Sequence, residues 1–167
     1  CVIGNPPYIR IQTMKEWAPL EVELYKKAYQ SATKGNYDIY VVFAEKGLKL
    51  SNKKGKIGFI LPHKFFNAQY GSPLRNIVAK GNHLSKGKLG IILPHKFFNA
   101  QYGLALRNII AKGKHLSEVI HFGDQQVFDG ATTYTCLMFL DKAGTNECQF
   151  SKVSDLTEWR STGEASK

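Results

Sequence analysis

The sequence predicts an α/β fold, on three observations. Short apolar runs of strand length alternate with longer stretches whose apolar residues recur every three or four positions. Two consecutive segments, each reading as strand, corner and helix, are near copies of one another. Close to the end, two apolar segments flank a polar stretch that carries glycine, as in a hairpin. Strands that alternate with helices imply parallel strands joined by crossovers.

The first apolar run, Cys1-Val2-Ile3-Gly4, reads as a buried strand, and Asn5-Pro6-Pro7-Tyr8 as the loop leaving its carboxyl end. Each proline fixes φ and removes a donor, and a residue that precedes proline is held extended. The loop is therefore stiff. It presents an amide, carbonyl oxygens and a ring at set positions, at the edge where open α/β sheets bind ligands. Residues 19–33 read as a helix, with Pro19 in its first turn and Leu20, Leu24, Ala28 and Ala32 spaced by four. Gly35-Asn36 interrupts it. Residues 37–50 read as a second helix with Ile39, Val42, Phe43, Leu48 and Leu50 on its apolar side, ended by the basic turn at 52–55.

Residues 55–86 and 87–118 are identical at 25 of 32 aligned positions. The exceptions are Ile57/Leu89, Phe59/Ile91, Ser72/Leu104, Pro73/Ala105, Val78/Ile110, Asn82/Lys114 and Lys86/Glu118. Each copy holds a strand (57–61, 89–93), a Pro-His-Lys-Phe-Phe corner and a helix (74–80, 104–112). Two copies are too few to stack as a solenoid. The expectation is that both strands enter one sheet, adding a parallel strand between the first strand and the hairpin; the competing outcome is extrusion of one copy. Ser72-Pro73 is the better helix start and favours copy one. Downstream, 119–122 and 133–140 read as hairpin strands joined through 123–130, 149–153 as a short further strand, and 154 onward as a polar linker.

A chain of 167 residues, 43% hydrophobic and 22% charged, is one domain's worth and can bury a core. Lys and Arg number 23 against 13 Asp and Glu, a formal +10. That excess points to an anionic partner, nucleic acid first, or to a solubilising surface. Cys1, Cys136 and Cys148 show no Cys-x-x-Cys spacing, which speaks against a disulfide framework or zinc site and fits a reducing cytoplasm. No apolar run reaches membrane-spanning length and no signal peptide opens the chain. Without an initiator Met, and starting inside a strand, the chain is expected to be a piece of something longer. His63 and His95, like His83 and His115, are doubled by the repeat; with His121 they read as solvated or capping side chains, not a metal cluster.

Four blocks in order carry a resemblance: Asn5-Pro6-Pro7-Tyr8 after an apolar strand, DIYVVFAEKGL at 38–48, GKIGFILPHKFF at 55–66, and VIHFGDQQVFDGATTYTCLMFL at 119–140. Together they resemble adenine-specific (N6) DNA methyltransferases, most of all the type IIG restriction–modification group. The resemblance implies a partial Rossmann-like class I methyltransferase sheet from the first strand onward, with the βα unit duplicated and a terminal β-hairpin. Residues 1–153 would be the C-terminal half of the catalytic domain, and 154–167 a linker toward a target-recognition domain. The enzyme is implied to be bacterial or archaeal and cytoplasmic.

What the resemblance implies for the site follows from the chemistry of an adenine amine, whose lone pair is delocalised into the ring. The Asn5 side-chain oxygen and the Pro6 carbonyl would accept its two N–H bonds and free that lone pair, with Pro7 stiffening the loop. The base must be flipped out of the duplex. Tyr8 would stack on it and Phe128 would supply the opposite wall, each stacking contact being worth about 1–3 kcal/mol. Lys64 and Lys96 follow strand ends where phosphates of double-stranded DNA would run. Plainer readings stay open: Asn5 as a turn residue, Tyr8 and Phe128 as packing, the lysines as solvated. S-adenosyl-L-methionine is the implied cofactor, yet the glycine-rich loop and acidic residue that hold it in the family have no counterpart in this sequence. The isolated chain is expected to be inactive. The alternatives are a non-catalytic, basic DNA-binding remnant or subunit, and a methyltransferase of RNA or of protein glutamine.

Overall fold

Strands form where burial alternates along apolar, β-branched runs. In β2 (Lys56–Ile60), Ile57 and Phe59 are buried while Gly58 and Ile60 are half-buried. The same pattern repeats in β3 (Lys88–Pro94) and β5 (Thr135–Asp141). The computed structural model describes residues 1–52, 55–66, 68–80, 88–130 and 133–164. Lys53 and Lys54 of the expected basic turn, His83, and the side chain of His63 lie outside that description.

With β1 (Val2–Gly4), β4 (Leu116–His121) and β6 (Gln149–Lys152), these strands make one six-stranded sheet in the order β1-β2-β3-β5-β4-β6. β1, β2 and β3 are parallel, β5 runs against both its neighbours, and β6 is parallel to β4. The carboxyl ends of every strand except β5 therefore share one edge. The path from β1 to β3 steps across the sheet in one direction, and right-handed crossovers then bring the connecting helices to one face. α3 (Tyr40–Leu50), α4 (Ser72–Lys80) and α5 (Leu104–Lys112) contribute Ala44, Leu74 and Leu106 to one core with Phe59, Ile91 and Met138.

Both repeat copies are in the sheet. Lys56 pairs with Lys88 and so on to Ile60 with Ile92, so each residue lies beside its own counterpart. Sequences this alike carry the same ladder and the same buried face, so neither copy is the better strand. Within the described residues α4 and α5 each span nine residues.

Several expectations are corrected. Among the described residues the first strand pairs with β2 alone, and Ile3 is 81% exposed where the sequence implied burial. The helix expected over 19–33 is α2 (Pro19–Ala28), which stops where Tyr29 turns extended; a single 3-10 turn, Gln30–Ala32, follows. Its spacing-four leucines face outward, Leu20 at 86% exposure, and the buried residue is Val22. α1 (Ile11–Trp17) was not expected at all, and it buries Ile11 and Met14. α3 starts three residues later than expected and leaves Phe43 and Leu50 exposed. The polar stretch from 154 begins with α6 (Leu156–Thr162), whose N-cap Asp155 accepts from the Thr157 and Glu158 amides and which ends at Gly163, φ 72°.

Candidate functional site

Past Gly4 the chain runs beyond the carboxyl ends of β1 and β2. Pro6 is buried, and Asn5, Pro7 and Tyr8 are exposed. The loop is tied from behind. Ile39 N donates to Ile9 O at 2.9 Å, Ile11 N donates to Tyr37 O at 2.9 Å, and Arg10 and Asp38 form an antiparallel bridge. These bonds bring Tyr8 edge-on to Tyr40, with centroids 6.0 Å apart and planes at 76°. Tyr40 is wholly buried, lies edge-on to Phe65 at 6.2 Å, and has its hydroxyl 3.1 Å from that of Tyr70. Burial, reinforced by the Tyr70 hydrogen bond, pushes the Tyr40 phenol far above its ordinary value, so it stays protonated. Tyr8 is 48% exposed, and partial burial raises its phenol too. Its hydroxyl donates to Asn5 Oδ1 at 2.7 Å and lies 2.9 Å from the carbonyl oxygen of Ile60, at the end of β2.

The other residues expected in a site are spread along the same edge. Lys64 and Lys96 are both exposed, in the corners that follow β2 and β3. Phe128 is 40% exposed in the connection between β4 and β5. That connection is held by Gln125, which donates to Val153 O and accepts from Leu156 N, and by Arg160, which donates to Val127 O. Three strands separate β1 from β4. Among the described residues no ring pairing joins Phe128 to Tyr8; Asn5 and Tyr8 are brought together and Phe128 is not.

Sequence reasoning missed the supports. Tyr40 lay inside a block that the resemblance quoted, but nothing in its spacing tied it to Tyr8. The Ile60 carbonyl is a backbone atom, invisible in any motif. A second cluster also went unread. His95 stacks on Tyr134 at 5.9 Å with planes 4° apart and on His121 at 5.1 Å. His121 accepts from Gly123 N at 2.9 Å, and burial, then His95 and Lys152, lower its pKa. No group of three or more metal-ligating side chains occurs among the described residues. All three cysteines are free, and burial pushes the Cys136 thiol up to about 12. Among the described residues no helix is long and apolar enough to cross a membrane.

A stiff polar and aromatic loop at the carboxyl edge of a mostly parallel sheet defines an α/β protein with its candidate site beyond the strand ends. Comparison supplies the family. Residues 1–86 and 78–128 match the profile of the Eco57I restriction-modification methylase family, and the chain belongs to that family. It is 32% identical over 158 residues, 95% of its length, to the type II restriction enzyme and methyltransferase RM.Eco57I of Escherichia coli. It is 40% identical over 83 residues, half its length, to the type II methyltransferase M.PaeR7I of Pseudomonas aeruginosa. The chain spans 12% and 14% of the lengths of these two relatives. A solved structure of a putative class I S-adenosylmethionine-dependent methyltransferase from Listeria monocytogenes is similar with TM-score 0.46 and 15% identity, over 97% of this chain and 39% of that one.

Proposed function

We propose that this chain is the adenine-holding half of a site-specific DNA methyltransferase that moves a methyl group from S-adenosylmethionine to N6 of adenine. Asn5 Oδ1 and the Pro6 carbonyl accept the two N–H bonds of the exocyclic amine. This draws the nitrogen toward tetrahedral geometry and frees its lone pair. Tyr8 stacks on the flipped base, and Lys64 and Lys96 meet phosphates. The observation that carries this reading is the pairing of the half-exposed Tyr8 ring with Asn5 Oδ1 at the carboxyl edge, 2.7 Å from hydroxyl to oxygen. The net charge of +10 supports a nucleic-acid partner.

The residues present fit the amine end of the reaction and not the donor. No glycine-rich loop of the kind that the resemblance assigns to S-adenosylmethionine stands in this sequence. The chain alone does not transfer a methyl group; the parent protein supplies the cofactor half and the target-recognition domain. A second reading, a basic DNA-binding remnant without turnover, draws on β3, which adds a strand between Tyr8 and the hairpin.

Two measurements on the purified chain test this. Fluorescence anisotropy is expected to report binding to duplex DNA that weakens steeply with salt; no binding at low salt would overturn the DNA reading. Incubation with labelled methyl donor and adenine-containing duplex is expected to give no incorporation. Incorporation above an Asn5→Ala control would overturn the claim that the chain is inactive.

A further inference from the structure

Asn5 is exposed on a loop, and its amide ends a side chain with two rotatable bonds. An acceptor that must meet an amine needs its oxygen, not its nitrogen, turned to the opening. Two adjacent prolines stiffen the backbone but leave the side chain free to turn. Among the described residues the hydrogen-bond partner of that side chain is Tyr8.

We propose that Tyr8 is a positioning residue for Asn5 as well as a stacking ring: its hydroxyl, fixed against the Ile60 carbonyl, holds Asn5 Oδ1 with one lone pair open to an exocyclic amine. This rests on the adenine-holding reading above. The contact is 2.7 Å, the usual length of an O–H···O bond and shorter than the usual N–H···O bond. The acceptor is the amide oxygen, as a phenol donor requires. A phenol carries one proton, and an amide oxygen has two lone pairs. The proton is shared between the two acceptors, Asn5 Oδ1 at 2.7 Å and Ile60 O at 2.9 Å, in a three-centre bond that ties the phenol to both. One lone pair of Oδ1 is thereby used and the other remains.

The phenol is itself held. Tyr40 meets the Tyr8 ring edge-on, and Tyr40 is fixed by Phe65 and by the Tyr70 hydroxyl. Ile60, Phe65 and Tyr70 all belong to copy one of the repeat. The counterpart of Ile60 in copy two, Ile92, pairs with Leu137 of β5 and is a strand further from the loop. Copy one is thus the copy that serves Asn5.

The test separates the ring from the hydroxyl. The full chain is titrated by NMR with adenosine and with purine riboside, which lacks the 6-amino group. The wild-type chain is expected to prefer adenosine by about 25-fold, the worth of two ordinary hydrogen bonds, one to Asn5 and one to Pro6. Tyr8→Phe keeps the ring, so purine riboside should bind as before while the preference falls to about fivefold, the Pro6 bond remaining. Tyr8→Leu should weaken both ligands. A Tyr8→Phe chain that keeps the wild-type preference overturns the positioning role and leaves the adenine-holding reading intact. A wild-type chain that binds neither nucleoside, shows no preference, or keeps its preference in Asn5→Ala overturns that reading and this proposal with it.

Discussion

Arg107 donates through Nη1 to the carbonyl oxygen of Ala100 at 2.8 Å, as Arg75 does to that of Ala68 at 3.0 Å. Each guanidinium also bonds the carbonyl of a corner phenylalanine, Phe97 or Phe65. One side chain from each helix thereby closes the corner that leads out of its strand. The corner is tight, since a Cβ on Gly71 or Gly103 would run into the same phenylalanine carbonyls. Removing either guanidinium strands two part-buried carbonyls, so Arg75→Ala and Arg107→Ala should each cost about 1–3 kcal/mol. Urea unfolding measures this. Losses of similar size are expected in the two copies, because their corners are built alike.

Gly47 of α3 lies where the Phe59 ring of β2 packs, and a Cβ there would sit 2.6 Å from the end of that ring. Gly47→Ala is expected to destabilise by about 1–3 kcal/mol through overpacking. Copy two carries Ile91 at the position equivalent to Phe59. Adding Phe59→Ile should therefore make the double variant more stable than Gly47→Ala alone. A double variant no more stable than that single one would show that the ring is not what Gly47 accommodates.

Strands were legible because alternation records a two-sided environment; the hairpin and both repeat strands came out within two or three residues of their expected ends. Helix faces were less legible. Leu20 and Leu24 have the spacing of a buried stripe, yet α2 buries Val22 between them, and nothing local says which side the sheet lies on. α1 has two buried residues among seven, too few to register as a period. At the site, the loop was legible and its supports were not. The partner of the Tyr8 hydroxyl is a carbonyl 52 residues away, a contact made by sheet pairing alone.

Glu45 is buried and accepts from the Ser31 amide at 2.7 Å and the Gln30 amide at 3.2 Å, with Lys49 2.7 Å away. Burial alone would raise its pKa. The Lys49 ammonium and the two amides outweigh it, and the net shift is downward. A carboxylate depressed on folding contributes stability that is present above the unfolded value, about 4.3, and is lost as pH falls through the lower folded value. Stability should therefore fall with acid below about pH 4.3, by urea unfolding at a series of pH values. Glu45→Gln should lower stability at pH 7 and flatten that acid limb. An unchanged limb in the variant would assign the acid sensitivity to other carboxylates.

The repeat divides between its copies what a single unit would hold together. Copy one lies beside β1 and supplies Ile60, Phe65 and Tyr70 to the Tyr8 support; copy two lies beside β5, where His95 stacks on Tyr134. Deleting residues 87–118 leaves a copy that differs from the lost one at the seven positions named above, and it joins Lys86 to Val119 in the frame in which Glu118 preceded it. The remaining strand can then pair with β1 on one side and β5 on the other, giving a five-stranded sheet. Tyr8 and the hairpin connection should approach by one strand spacing, about 4.8 Å. Spin labels on Pro7→Cys and Asp129→Cys, with Cys1 and Cys148 replaced by Ser, would measure the change; the buried Cys136 thiol, raised to about 12, resists labelling. A shortening of that size would show that the inserted strand sets the width of the cleft. An unchanged distance would mean that the Phe128 connection reaches back across the sheet edge whatever lies beneath it.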